Sequence, residues 1–259
     1  MTLLRLMKYP GAKSVVIPDI NSIFKSSKSR IFVDVFGGSG IVSLNVESDQ
    51  TVYNDLNPEL VNLFQVIKSH PDKFQKKLAE LTSSKEFFLE FGESINSRKY
   101  HGPNDFENAI STFYKFNVGF GGMGDTYSTL KEKSAFTLVQ RIIGQLRKIS
   151  YKIGSWKLEN LDFRALIRKY DHFDTFLYLD PPYIGREWYD FNFSEEDLVD
   201  LKELVERTKG RYLLNLNYSD TVALKVFGPP PFVKKYVNQN VKNERTIEYR
   251  TVSFYTNVS

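Results

Sequence analysis

Phe176, Leu177, Tyr178 and Leu179, followed by Asp180, Pro181, Pro182 and Tyr183 (FLYLDPPY), form an apolar run that ends in a carboxylate, two prolines and an aromatic ring. Four apolar residues stopped by turn formers predict a strand buried on both faces, as in the sheet of an α/β protein. Ligands of such sheets bind outside the carboxyl ends of the strands, where two prolines stiffen the backbone into a pocket wall. That wall suits a flat ring bearing an amine. The Asp180 carboxylate can accept one hydrogen of the amine and the Pro181 carbonyl the other. The nitrogen lone pair, otherwise delocalised into the ring, is then aimed at an electrophile. Tyr183 offers a face for stacking, a contact worth roughly 1–3 kcal/mol per base in single-strand binding proteins. Strand-to-helix turns also use proline for purely structural reasons, so the neighbouring segments decide.

Upstream, Phe32 to Gly40 (FVDVFGGSG) reads as a strand entering a glycine-rich turn, with Ile41, Val42 and Leu44 in a following helix. Gly38 and Gly40 allow positive φ and close approach of a ligand to the backbone. The third glycine of a dinucleotide fingerprint would fall at Ser43, and no phosphate loop ending in Gly-Lys-Ser or Gly-Lys-Thr is present, so pyrophosphate binding is not favoured. A second strand, Thr51 to Tyr53, leads to Asp55, fifteen residues past Gly40. An acid at this strand tip suits the hydroxyls of a ribose. Asn57 is placed to cap a helix with Pro58 in its first turn and Leu60, Leu63, Phe64 and Ile67 on one face. Nearer the start, Lys8 to Lys13 (KYPGAK) sets an aromatic, a Pro-Gly turn and a lysine able to meet a carboxylate ahead of a helical segment from Ile17 to Phe24.

Between these halves lies a stretch of different character. Phe113, Tyr114, Phe116 and Phe120 run among Gly119, Gly121, Gly122 and Gly124, a pattern that predicts a loop or hairpin. From 131 to 157 the cations Lys131, Lys133, Arg141, Arg147, Lys148, Lys152 and Lys157 face one acid, Glu132. The whole chain has a net charge of only +4, so its positive charge is concentrated here. Such clusters attract phosphates without regard to sequence, whereas base edges must be read by other side chains. Tyr127, Ser128 and Asn117, expected in the loop, are candidates for that reading.

Beyond the tetrapeptide, Ser194 with Glu195, Glu196 and Asp197 begins a helix whose buried stripe is Leu198, Leu201, Leu204 and Val205. Tyr212 to Leu216 predicts a further buried strand, and Phe232 to Val237 with Thr251 to Tyr255 a closing pair, completing a mixed sheet. The chain has no Cys, which excludes disulfides and thiol catalysis, and His70, His101 and His172 lack ligand spacing, so no metal site is expected. No apolar run approaches the roughly 20 residues of a membrane helix and no leader-like segment opens the chain, so a cytoplasmic location is expected.

With these segments in this order, the chain resembles the Dam-like adenine-specific DNA methyltransferases (D12 class, alpha group). The aromatic-x-Gly-x-Lys segment of that family matches Tyr9, Gly11 and Lys13, its FxGxG turn matches Phe36, Gly38 and Gly40, and its ribose acid matches Asp55. Its catalytic DPPY matches Asp180, Pro181, Pro182 and Tyr183, and Asp162 with Phe163 resembles the pair that lines the cofactor adenine. Ala12 stands where many relatives have a second glycine, and Ile184 to Phe193 matches no relative closely. The resemblance implies a Rossmann-like mixed-sheet α/β fold, with a catalytic domain over 1–68 and 155–259 and a mostly helical target-recognition insertion over 69–154. It implies methyl transfer from S-adenosylmethionine, leaving S-adenosylhomocysteine, to the N6 amine of a flipped adenine in double-stranded DNA. Lys131, Lys133, Arg141 and Arg147 are the expected phosphate contacts, and a cognate restriction endonuclease stays open as a partner. The same amine grip would serve cytosine N4 or adenine in RNA, and the basic insertion alone would serve a catalytically silent DNA-binding subunit.

Overall fold

The computed structural model describes residues 3–9, 11, 13–84, 88, 91, 99–118, 132–182, 193–237 and 249–258. In chain order the elements are α1 (Ile17–Ser27), β1 (Ile31–Asp34), α2 (Ile41–Asn45), β2 (Gln50–Asn54), α3 (Pro58–Ser69), α4 (Pro71–Leu81), α5 (Phe106–Val118) and α6 (Glu132–Gly154). They continue with β3 (Lys157–Glu159), α7 (Phe163–Tyr170), β4 (Thr175–Leu179), α8 (Glu195–Arg207), β5 (Arg211–Asn217), α9 (Thr221–Phe227), β6 (Phe232–Val237) and β7 (Tyr249–Thr256). Among the described residues there are seven strands in a mixed arrangement, as an α/β chain with both βα crossovers and a closing antiparallel pair requires. Among the described residues, no helix is long and apolar enough to cross a membrane.

The chain divides into two compact units. The first comprises Met1–Ser14, Gly37–Val46 and Gln50–Asn160. In it β2 and β3 pair in parallel, with Val52 opposite Lys157. The Asn57 side chain caps α3 by accepting from Glu59 N at 2.9 Å, and Pro58 occupies the first turn, where its missing N–H is not needed. Leu60, Leu63, Phe64 and Ile67 of α3 are buried, as their spacing predicts. They share one core with Tyr53, Phe74, Phe113, Ile142, Leu146, Ile149 and Trp156, so the helices of the middle stretch pack on the same apolar mass as β2. The residues from Phe113 to Val118, expected in a loop, complete α5 instead. Ala109, Ile110, Phe113 and Tyr114 recur at helical spacing toward the core, and that burial outweighs the glycines that follow. Polar groups fix the pairing of α3 with α5. Asn62 Nδ2 donates to Asp105 O at 2.8 Å and to Asn108 Oδ1 at 3.1 Å, while Asn108 Nδ2 donates to Glu59 Oε1 at 3.1 Å.

The second unit comprises Val15–Phe36, Glu47–Asp49 and Leu161–Ser259. Its strands lie in the order β1-β4-β5-β7-β6. β1, β4 and β5 are parallel, whereas β7 runs antiparallel to both β5 and β6. All five residues of β4 are buried, matching the unbroken apolar run in its sequence. Phe32 and Phe176 stack at 5.8 Å on neighbouring strands, and Phe24 of α1 meets both edge-on at 5.3 Å. Helix α8 starts with a reciprocal capping box in which Asp197 N donates to Ser194 Oγ at 3.1 Å and Ser194 N donates to Asp197 Oδ2 at 2.7 Å. Parallel β1, β4 and β5 present their carboxyl ends on one edge, where Asp180 follows β4.

Candidate active site

In the first unit the glycine turn is built from the backbone outward. Gly37 N donates to Asn54 O at 2.7 Å and Gly40 N to Gly37 O at 2.9 Å, which fastens the turn to β2 and closes it on itself. Gly38 and Gly40 both have positive φ, +49° and +66°. A Cβ on Gly38 would stand 2.9 Å from the Tyr9 ring and one on Gly40 2.7 Å from Phe64, so neither position has room for a side chain. Tyr53 reaches up from the core to donate its hydroxyl to Gly38 O at 2.7 Å and stacks on Trp156 at 5.8 Å.

Asp55 meets this turn directly. Its Oδ2 accepts from Gly38 N at 2.8 Å and its Oδ1 from Asn57 N at 2.9 Å, while Asn160 Nδ2 donates to the Asp55 carbonyl at 2.8 Å. A carboxylate has about four acceptor positions, so two remain for a pair of hydroxyls. Burial pushes the Asp55 carboxyl up to about 6, against the downward pull of the Asn57 and Gly38 N–H groups. Tyr9 packs on Phe116 at 5.3 Å and borders Gly38. Lys13 is buried, and its Nζ donates to Gly11 O at 3.1 Å. Tyr9, Gly38 and Asp55 are thus gathered at one turn, while Ala12 lies outside the described residues.

Asn117, expected in the loop, is placed in a helix instead. It lies in α5, wholly buried, with Nδ2 donating to Leu6 O at 3.3 Å and Phe113 O at 2.9 Å and Oδ1 accepting from Lys8 N at 3.3 Å. Its amide is spent on holding the 6–8 segment against the helix. Tyr127, Ser128 and Lys131 lie outside the described residues, as does the side chain of Lys133 in α6. Arg141, Arg147 and Lys148 are exposed on the face of α6 opposite its buried Val139, Ile142, Leu146, Ile149 and Ile153. Lys152 of the same basic run instead donates to Val46 O at the end of α2.

In the second unit Phe36, Phe163 and Phe193 form a triangle of rings with centroids 5.7–5.8 Å apart. Asp162 caps α7 by accepting from Arg164 N at 2.8 Å. Arg164 also pairs with Asp162 at 3.1 Å, with Asp197, and with Asp200 at 2.6 Å, and its guanidinium lies 4.3 Å from the Phe163 centroid. The pair Asp162-Phe163 is therefore locked to the start of α8. Sequence reasoning missed Phe193; the signal was an aromatic placed just before the Ser194 cap.

Asp180 stands at the tip of β4, half-buried, followed by a buried Pro181 and a half-buried Pro182. Asn215 Nδ2 on β5 donates to Asp180 Oδ1 at 3.4 Å. Tyr183 lies outside the described residues. Asn215 was also missed, although an amide interrupting the apolar run from Leu213 to Leu216 was visible in the sequence. Among the described residues no group of three or more His, Asp or Glu side chains is placed to hold a metal ion.

Comparison with known proteins places the chain in a lineage. A family model described as D12 class N6 adenine-specific DNA methyltransferase matches residues 9–245. The chain is 25% identical over 242 residues to the type II methyltransferase M1.LlaDCHI of Lactococcus lactis subsp. cremoris, covering 85% of this chain and 83% of the relative. It is 23% identical over 258 residues to the DNA adenine methylase of Haemophilus influenzae, covering 91% and 86%. It is 24% identical over 220 residues to the modification methylase LlaI of Lactococcus lactis subsp. lactis, covering 77% of this chain and 34% of the relative.

Proposed function

Because the chain belongs to the D12 class of N6 adenine-specific DNA methyltransferases, we propose that it methylates the N6 amine of adenine within a specific double-stranded DNA sequence, using S-adenosylmethionine. The observation that carries this reading is Asp180 at the carboxyl tip of β4, a fully buried strand flanked by parallel β1 and β5. A carboxylate so anchored is preorganised to hold an amine hydrogen, with the Pro181 carbonyl taking the second.

The glycine turn and Asp55 fit the donor's nucleoside. Gly38 and Gly40 let the turn take up positive φ with Tyr9 and Phe64 packed close against it, and Asp55 keeps acceptor positions among the described residues for two ribose hydroxyls. Tyr9, Gly11 and Lys13 would hold the amino-acid end of the donor, and Phe36, Asp162 and Phe163 its adenine. When bound, S-adenosylmethionine supplies an electrophilic methyl on a sulfonium.

Adenine stacked in a duplex cannot present its amine to Asp180, so the base is flipped out at a cost of a few kcal/mol. Tyr183 receives the flipped ring. Asp180 and Pro181 hold the two amine hydrogens and turn the lone pair toward the methyl. Forming the new N–C bond would break the methyl–sulfur bond of the donor and release S-adenosylhomocysteine, while the hydrogen held toward Asp180 would pass as a proton to its carboxylate. Rate comes mainly from positioning, for which effective molarities can reach about 10⁵ M or more. Arg141, Arg147, Lys131 and Lys133 bind phosphates of the DNA. Relatives named as modification methylases support a restriction-modification setting with a cognate endonuclease.

The test is transfer of a tritiated methyl from S-adenosylmethionine to duplex DNA, with nucleoside analysis of the product. N6-methyladenine is expected from the native chain. Asp180→Ala is expected to lower the rate by at least about 10²-fold, as when a developing charge loses its fixed partner, while duplex binding measured by anisotropy is retained. Full activity of Asp180→Ala would overturn the assignment.

A further inference from the structure

Strand β5 reads RYLLNLN, and its Leu213, Leu214 and Leu216 are buried. Asn215 in the midst of them is wholly buried as well. An amide in such a run is costly unless its polar atoms are matched, and an aliphatic residue would fill the position without that penalty. Yet the amide is only half matched. Among the described residues Asn215 Oδ1 has no hydrogen-bond partner, while Nδ2 donates to Asp180 Oδ1 at 3.4 Å.

The placement follows from register. β4 and β5 run parallel with Leu179 opposite Leu214, so one further step along both strands sets Asp180 beside Asn215. Packing thus gains nothing from the amide, and its partner among the described residues is the carboxylate that the proposed reaction requires. We propose that Asn215 is a positioning residue, whose amide engages one oxygen of Asp180 and so orients the carboxylate toward the adenine amine. This rests on the adenine-methylating reading of Asp180.

The chemistry is that of a two-oxygen acceptor with a soft terminal torsion. The terminal torsion of a carboxylate is broad, so either oxygen can be presented. A donor fixed on the neighbouring strand narrows that torsion. The separation of 3.4 Å is a loose contact of the kind catalytic groups show before substrate arrives. It tightens when the amine draws on the second oxygen.

Two variants test the proposal. Asn215→Asp keeps the shape of the side chain but removes the donor, and Asn215→Leu removes the amide altogether. In both, kcat for methyl transfer is expected to fall about tenfold to a hundredfold, the range in which misplaced groups act, with KM for DNA and for S-adenosylmethionine unchanged. A merely structural role predicts the opposite split, with Asn215→Leu as active as the native chain. The carboxyl carbon resonance of Asp180, assigned by its loss in Asp180→Asn, gives a readout independent of turnover. It is expected to shift in Asn215→Leu. An unchanged kcat in both variants, or an Asp180 resonance that stays in place, overturns the proposal. Failure of the native chain to methylate DNA would instead sink the reading of function, and the resonance would still decide whether Asn215 holds Asp180.

Discussion

Asp55, the proposed ribose acid, would tie folding to ligand binding through one side chain. Its carboxyl, pushed up to about 6 by burial, favours the protonated form in the folded chain. Its contribution to stability is therefore present below the ordinary carboxylate range of about 4 and is lost as pH rises through about 6. Ribose hydroxyls prefer the ionised form, so a bound nucleoside returns what ionisation costs. The affinity for S-adenosylmethionine is accordingly expected to weaken as pH falls through about 6, in calorimetric titrations of the native chain. In Asp55→Asn the affinity is expected to be flat across that range and lower at pH 8 by about tenfold, the worth of a charge-assisted hydrogen bond. The acid was legible from its distance to the glycines, but its shift was not, since burial depends on what packs around the strand tip. Asn117 shows the converse. A polar residue beside a glycine-rich segment reads as a loop contact until the helix spacing of its apolar neighbours is given its full weight.

The elements that position the reaction owe their boundaries to short-range chemistry, and most of them could be read directly. Asn57-Pro58 opens α3, and Ser194 with Asp197 opens α8, both at caps visible in the sequence. The box at Ser194 does more than start a helix, since Asp197 also pairs with Arg164, which lies over Phe163. Ser194→Ala is expected to destabilise the chain by about 1 kcal/mol, the usual worth of a cap, seen as a drop in Tm of roughly 2–4 °C for a chain of this length. β3 escaped notice because Lys157–Glu159 is three residues long and carries a charge at each end, leaving no alternation to detect. It exists because β2 offers it a parallel partner, a long-range fact that no local pattern encodes.

Taken over its full length, the chain separates two tasks by charge. Arg141, Arg147 and Lys148 lie on the exposed side of α6, while the opposite side is sunk in the core of the first unit. If the exposed side meets phosphates, each neutralised contact releases counterions. The slope of log affinity against log salt is then expected to become shallower by about 0.9 per residue in Arg141→Ala, Arg147→Ala and Lys148→Ala, with catalysis at saturating DNA preserved. The fold class and the order of the motifs were legible because burial on both faces of β4 leaves a plain signature. Which helices of the middle stretch share a core was not, because that depends on contacts between residues as distant as Tyr53 and Trp156. The buried asparagines at 62 and 108 add a last point. They secure the register of α3 against α5 from inside, so that pairing does not depend on Arg141, Arg147 and Lys148 on the exposed side of α6, which are at liberty to diverge. If that side meets DNA, a lineage built this way can acquire a new target while keeping its chemistry.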